Sequence, residues 1–298
     1  MSDILDKRLN AFRPDLADIR LKGRVEADAF VEGRPERVLV SAEPLRREPR
    51  PDAAQETEAL FGEDVLVFEV TDEGWAWVQL VADGYVGWLA AAALGVVDAA
   101  PTHRVGVPRT FLFPGPDIKM PPLMGLPMGA RITARGDASD RNATYVLAAS
   151  AGAVVAQHLR LVDHAAADFV GVAERFVGVP YLWGGKTTLG IDCSGLVQVA
   201  LGMAGVPAPR DTDMQERGLG TALPDGAPLR RGDLVFWKGH VGIMLDAERL
   251  LHANAHHMMT TAEPFAETVA RAAARGSVVT SIRRLGLDGG LHRDKPTQ

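Results

Sequence analysis

The spacing of apolar positions changes twice along this chain. Leu5, Leu9 and Phe12 recur at helical spacing until Pro14 interrupts them, which predicts a charged, helical N-terminal segment over residues 1–36. The polar, Arg-rich stretch from Glu43 to Gln55 contains Pro44, Pro49 and Pro51 and reads as a linker or extended arm. From Leu60 the period becomes two. DVLVFEV, GWAWVQLV and GYVGWLA are short, aromatic and β-branched, with turn signals at Asp72-Glu73-Gly74 and Asp83-Gly84. They predict a small antiparallel barrel within residues 37–98. A less regular set, HRVGVPRTFLF, ARITARG, TYVLAA and AVVAQHLRLV, predicts a second barrel over 99–163. Between its first two strands lies the proline- and methionine-rich PGPDIKMPPLMGLPMG. Proline removes ladder donors, so this is either a long ordered loop or a loop that lies against the next domain and shapes a cleft.

After His164 the pattern becomes mixed. DFVGVAERFVG puts Phe169, Val172, Ala173 and Phe176 on one helical face, and CSGLVQVALGMAG is a second apolar helix ended by Gly205 and Pro207. DLVFWKG, HVGIML and RLLHANA alternate as strands, EPFAETVARAAARG is a helix, and SVVTSIRRL closes as a strand. Helices followed by a run of strands indicate an α+β domain over 164–287, with a tail at 288–298. The expected fold class is therefore α+β multidomain: two small barrels and then a larger α+β unit.

Composition narrows the function. The chain has 298 residues, 47% of them hydrophobic and 23% charged, as in a globular protein. A net charge of −6 lacks the electrostatic footprint of a nucleic-acid binder and disfavours anionic lipid surfaces. The N-terminus has no apolar core flanked by basic residues, and the longest apolar run, Val86 to Val97, is too short to span a bilayer. The single cysteine excludes an intramolecular disulfide and is easiest to keep reduced inside the cell. These features lead to the expectation of a cytoplasmic protein.

That cysteine, Cys193, falls in the first turn of the second helix. Unpaired N–H groups there favour a sulfur anion and could also stabilise an oxyanion formed when sulfur attacks a carbonyl. A base is needed next. His240 opens the strand HVGIML and His252 lies in LLHANA, a spacing that suits neighbouring antiparallel strands. One imidazole could take the thiol proton while the other fixes its tautomer; the plainer reading is two half-exposed strand histidines. A zinc site from Cys193, His240, His252 and His256 or His257 lacks any short metal-type pair such as C-x-x-C. No metal or cofactor is expected.

YLWGGKTTLGIDCSGLVQVALGMAGVPAPRDTDMQ, RRGDLVFWKGHVGIML and RLLHANA together resemble the NlpC/P60 family of papain-like cysteine peptidases, over about residues 164–287. The resemblance implies Cys193 as nucleophile, His240 as base, His252 as orienting residue, and Tyr181 as support for the oxyanion site. The upstream barrels are similar to bacterial SH3-like domains. The combination resembles the γ-D-glutamyl-L-diamino acid endopeptidases of murein recycling, which implies free stem peptides beginning L-Ala-γ-D-Glu as substrate.

Such specificity requires carboxylates for a free ammonium and donors for the D-Glu α-carboxylate. Asp192 is the best carboxylate candidate, and it can also serve as a helix N-cap. Tyr85 and Glu63 resemble residues that close an amine pocket, although Tyr85 could be a cross-strand aromatic and Glu58 could replace Glu63. Ser194, Arg210, Asp211 and Thr212 match the family segments for the α-carboxylate, with Asp211 more suited to orienting Arg210 or holding the loop. The competing expectations are an inactive peptide-binding protein and an acyl transferase on the same triad.

Overall fold

The computed structural model describes residues 5–150 and 152–286. The expected tail at 288–298 lies outside them.

No α-helix forms in the described part of the N-terminal segment. Instead β1 (Leu16–Asp18) pairs in parallel with β2 (Ala29–Val31), joined through a 3-10 turn at Ile19–Leu21 that Asp18 caps. Tertiary contacts override the helical spacing here. The Val86 N–H donates to the carbonyl of Arg8, the Gln79 amide donates to that of Leu9, and Leu9 packs on the core of the first sheet.

That sheet contains β3 (Arg34–Val38), β4 (Ala42–Arg46), β5 (Gln55–Leu60), β6 (Asp64–Val70), β7 (Trp75–Leu80), β8 (Val86–Ala90) and β9 (Leu94–Gly95). Its order is β5-β4-β8-β7-β6-β3-β9, antiparallel throughout. The stretch expected as a linker is thus the β4–β5 hairpin, with Leu45 fully buried in the core and Pro49 and Pro51 in its turn. β4 meets β8 at one pair, Arg46 opposite Trp88, which leaves room for a residue without an N–H at Pro44.

The next unit has β10 (His103–Val105), β11 (Arg109–Phe113), β12 (Met124–Pro127), β13 (Arg131–Ile132), β14 (Ala134–Ser139), β15 (Thr144–Ala148), β16 (Ala153–Val155) and β17 (Leu159–Leu161). They form two sheets, β13-β10-β17 and β12-β11-β16-β15-β14, around one apolar cluster. HRVGVPRTFLF is two strands rather than one, because Gly106 and Pro108 break it between sheets. The proline-rich segment holds strand β12, and Met128 just beyond it is buried against the third domain.

In that third domain α1 (Phe169–Glu174) is followed by the short pair β18 (Lys186–Thr187) and β19 (Gly190–Ile191), α2 (Cys193–Met203) and α3 (Thr212–Gly218). A six-stranded antiparallel sheet is then built from β20 (Thr221–Ala222), β21 (Leu234–Trp237), β22 (His240–Met244), β23 (Arg249–Asn254), β24 (Met259–Pro264) and, after α4 (Phe265–Ala273), β25 (Val279–Arg284). Its order is β20-β25-β21-β22-β23-β24. Leu196, Val197, Ala200 and Leu201 recur on one face of α2 and share a core with Val241, Ile243, Leu251 and Ala253 of the sheet. Burial of that face fixes α2 across β22 and β23, so the helix start carrying Cys193 lies against the strand start carrying His240. No helix among the described residues is long and apolar enough to cross a membrane.

Candidate active site

Cys193 is the first residue of α2, and Asp192 is its N-cap. Asp192 Oδ1 accepts from the Gly195 N–H at 2.7 Å and Oδ2 from the Gly184 N–H at 2.8 Å. Gly195 is required by space, since a Cβ there would lie 2.3 Å from the Gly185 carbonyl oxygen. The backbone N–H groups of Cys193 and Ser194 have no partner among the described residues. They are available to a ligand oxygen, as expected for the first turn of a helix.

The thiol is buried. Its Sγ lies 3.9 Å from Thr212 Oγ1 and receives the Val241 N–H. Burial and then the Asp192 charge push the thiol up to about 11, despite those two hydrogen bonds. Burial and the cap carboxylate beside the sulfur thus oppose the anion that the helix-start N–H groups favour.

His240 begins β22 after a two-residue hairpin closed by Gly239, whose φ of 76° favours glycine. β22 and β23 pair Ile243 with Leu251, and continuing that register sets His252 opposite Gly242. His240 and His252 are therefore diagonal neighbours on one face. His240 Nε2 and His252 Nδ1 are 2.8 Å apart. Burial, and then the neighbouring His252, hold His240 down at about 3; burial also lowers His252. Tyr181, bridged to Ile191 beside the helix start, is close enough for its phenol to be raised by burial and by the Cys193 and Asp192 charges.

Apart from Thr212, which lies beside the thiol, the residues expected to bind substrate fall into three groups. Asp192, Ser194 and Arg210 form one closed cluster. Arg210, 1% exposed, donates to Asp192 Oδ1 at 3.0 Å and Oδ2 at 2.6 Å, to Ser194 Oγ at 2.8 Å and, through Nε, to Thr57 Oγ1 at 2.9 Å. Four of its five N–H donors are thus engaged within the protein.

Asp211 and Tyr85 form the second group. The Tyr85 hydroxyl donates to Asp211 Oδ2 at 3.1 Å, and Arg8 donates to the same oxygen at 2.7 Å. Asp211 thus ties the N-terminal segment and the first sheet to the start of α3, rather than bonding to Arg210.

Glu63 stands apart. Its Oε2 accepts from the Leu60 N–H at 2.9 Å and is 3.9 Å from Lys186 Nζ, and it lines a cavity of about 290 Å³ at the junction of the domains. Glu58, the alternative carboxylate, lies on the other side of Lys186. Glu58 Oε2 accepts from the Lys186 N–H at 2.6 Å, while Oε1 has no hydrogen-bond partner among the described residues. Burial raises the Glu58 carboxyl, and the Lys186, Arg210 and Asp192 charges all reach it.

Glu263 was not foreseen. Its Oε1 is 2.7 Å from His252 Nε2 and also bonds Arg271 of α4, while Oε2 is 3.3 Å from His257 Nε2. The pairing of His252 with Thr261 and of Leu250 with Glu263 makes Glu263 the diagonal neighbour of His252. Only the register of the β23–β24 hairpin reveals this, and the apolar pattern around EPFAETV carries no trace of it.

Fold and site together define a papain-like thiol–imidazole centre on a helix-and-sheet domain, preceded by SH3-type β structure. Residues 178–275 match the NlpC/P60 family and residues 45–94 match the bacterial dipeptidyl-peptidase Sh3 domain. The match to the NlpC/P60 family lies within the third domain. It is 29% identical over 226 residues to a γ-D-glutamyl-L-lysine dipeptidyl-peptidase of Bacillus subtilis, covering 68% of this chain and 73% of that one. Dipeptidyl-peptidase 6 of Lysinibacillus sphaericus is 39% identical over 85 residues, which span 28% of this chain and 31% of the relative. An NlpC/P60 family protein from Bacillus cereus shares the fold, with a TM-score of 0.70 at 21% identity over 84% of this chain and 99% of the other.

Proposed function

We propose that this protein is a cysteine peptidase that hydrolyses the γ-D-glutamyl-diamino acid bond of free murein stem peptides with an N-terminal L-Ala. The observation that carries the reading is the buried helix-start thiol of Cys193, which receives the N–H of Val241 next to His240, together with the His240–His252 pair at 2.8 Å. The names of the B. subtilis and L. sphaericus relatives support the peptidase class.

In this reading His240 takes the Cys193 proton as sulfur attacks the γ-carbonyl, since the thiol rests neutral. The Cys193 N–H and the Tyr181 hydroxyl stabilise the oxyanion. Collapse expels the diamino acid amine, protonated by His240, and leaves a γ-glutamyl thioester. Water activated by the same imidazole then hydrolyses it.

Glu58, with one oxygen unspent, is the carboxylate proposed to meet the L-Ala ammonium. Tyr85 and Asp211 close that end of the cleft, and Asp192 contributes its charge at longer range. Ser194 and Thr212, beside the thiol, are proposed to line the α-carboxylate position. Residues 99–163 are proposed as a second SH3-like unit that buttresses the catalytic domain. A free stem peptide as substrate and a cytoplasmic site of action belong together in this proposal.

The test is turnover of L-Ala-γ-D-Glu-L-Lys and its N-acetylated form by wild type and Cys193→Ala. The account expects cleavage of the free-amine peptide by wild type alone. Equal turnover by Cys193→Ala would end the nucleophile assignment, and equal cleavage of the acetylated peptide would end the amine pocket.

A further inference from the structure

We propose that Glu263 is a positioning residue that sets the tautomers of both imidazoles, and so determines which nitrogen of His240 serves as base. The inference rests on the peptidase reading and extends it by one residue that touches neither thiol nor substrate.

Burial pushes the Glu263 carboxyl upward, but hydrogen bonds from Arg271, His252 and His257 outweigh it and hold the group at about 2. Near neutral pH Glu263 is therefore ionised, and an ionised carboxylate accepts hydrogen bonds but donates none. At 2.7 Å from Glu263 Oε1, His252 Nε2 must carry a proton. A neutral imidazole has one N–H, so His252 Nδ1 is bare and can only accept. Across the 2.8 Å contact, His240 Nε2 must then donate. That leaves His240 Nδ1 unprotonated, as a general base requires. Once Glu263 is ionised, each further step follows from heavy-atom distances and from donor and acceptor capacity.

Arg271 completes the device from outside the sheet. It anchors the carboxylate from α4, so β23, β24 and α4 all converge on one oxygen pair. The charged and titratable groups around the relay are Arg271 and His257 on Glu263, with Asp192 acting on His240 from the helix start. Arg271 and His257 opposite the carboxylate keep it ionised, and Asp192 favours a proton on His240 during turnover. A carboxylate behind a relay imidazole also stabilises the positive charge that develops there. The alternative is that Glu263 merely ties the β23–β24 hairpin to α4, in which case removing it would leave tautomers and proton transfer untouched.

The experiment is a long-range proton–nitrogen spectrum of the full chain with 15N-labelled histidine, assigned with His240→Gln and His252→Gln. Wild type should show the Nε2–H tautomer at both residues. Folded Glu263→Ala should lose the single tautomer at His252 and lower kcat about 10–100-fold, the range for removing a partner that orients a functional imidazole. Glu263→Gln keeps an acceptor oxygen and should retain the tautomers with most of kcat recovered. A Nδ1–H tautomer at either histidine in wild type overturns the proposal. So does a folded Glu263→Ala with wild-type tautomers and kcat. Should Glu263→Ala fail to fold, the wild-type spectrum and Glu263→Gln still decide. The tautomer readout needs no substrate, so its failure is distinct from failure of the peptidase reading.

Discussion

Asp192 and Arg210 form a buried two-point ion pair directly behind the nucleophile, with contacts of 3.0 and 2.6 Å. Both residues are less than a tenth exposed, and both are hydrogen-bonded on their remaining sides. Charges removed from water in this way stand only while both are present. Arg210→Met should therefore lower stability by about 3–5 kcal/mol, because it leaves an unpaired carboxylate in the core. Urea unfolding of wild type and variant at pH 7 measures this. An unchanged midpoint would show that Asp192 takes up a proton or reaches water without its partner.

Glu58 should decide the amine preference. A charge-assisted hydrogen bond is worth about 1.5–3 kcal/mol, or roughly 10–150-fold. Glu58→Gln should reduce kcat/KM for the free-amine tripeptide by about that factor, while changing the acetylated peptide little. Glu63→Gln, at the junction cavity, should leave the ratio of the two substrates as in wild type. If the Glu63 variant loses the preference and the Glu58 variant keeps it, the amine site has been assigned to the wrong strand end.

Tyr181 supplies a hydroxyl near the sulfur without carrying a proton in the mechanism. Tyr181→Phe should lower kcat by about 10²–10³, the range for one lost oxyanion donor, with KM nearly unchanged. Steady-state kinetics on the tripeptide separate the two parameters. A change confined to KM would make Tyr181 a binding residue.

Acid should destabilise the catalytic domain through His240. Its ordinary value of 6.5 falls to about 3 in the fold, so below pH 6.5 the unfolded chain binds a proton that the folded one refuses. Stability is lost as pH falls from 6.5 toward 3. Glu263 adds a loss in the same direction between its ordinary 4.5 and about 2. The urea midpoint should fall steadily from pH 6.5 to 4 in wild type and more shallowly in His240→Gln. Parallel curves for the two proteins would show that His240 is protonated in the native state.

The parts of the site that could be read from the chain are those set by local pattern. A cysteine at a capped helix start and two histidines one hairpin apart are features of short segments, and the apolar face of α2 says which side meets the sheet. The linker expected at Glu43–Gln55 was a hairpin, because charged residues on its turn masked the buried Leu45. The N-terminal helix gave way to contacts with β7, β8 and Asp211 that no spacing within residues 5–36 could announce. Arg210 belongs to Asp192, and Glu58 rather than Glu63 lies beside that pair, because β5 of another domain passes the helix start. Glu263 depends on hairpin register. Wherever a residue's role is fixed by a partner in another domain or across a turn, the sequence supplied candidates without choosing among them.

The most direct measurement of the central claim is mass spectrometry of products from L-Ala-γ-D-Glu-meso-diaminopimelate incubated with wild type and with Cys193→Ala. The account predicts the dipeptide L-Ala-D-Glu and free diaminopimelate from wild type, and intact tripeptide with the variant. Cleavage at the L-Ala–D-Glu bond instead, an intact tripeptide with folded wild type, or equal products from Cys193→Ala would contradict it.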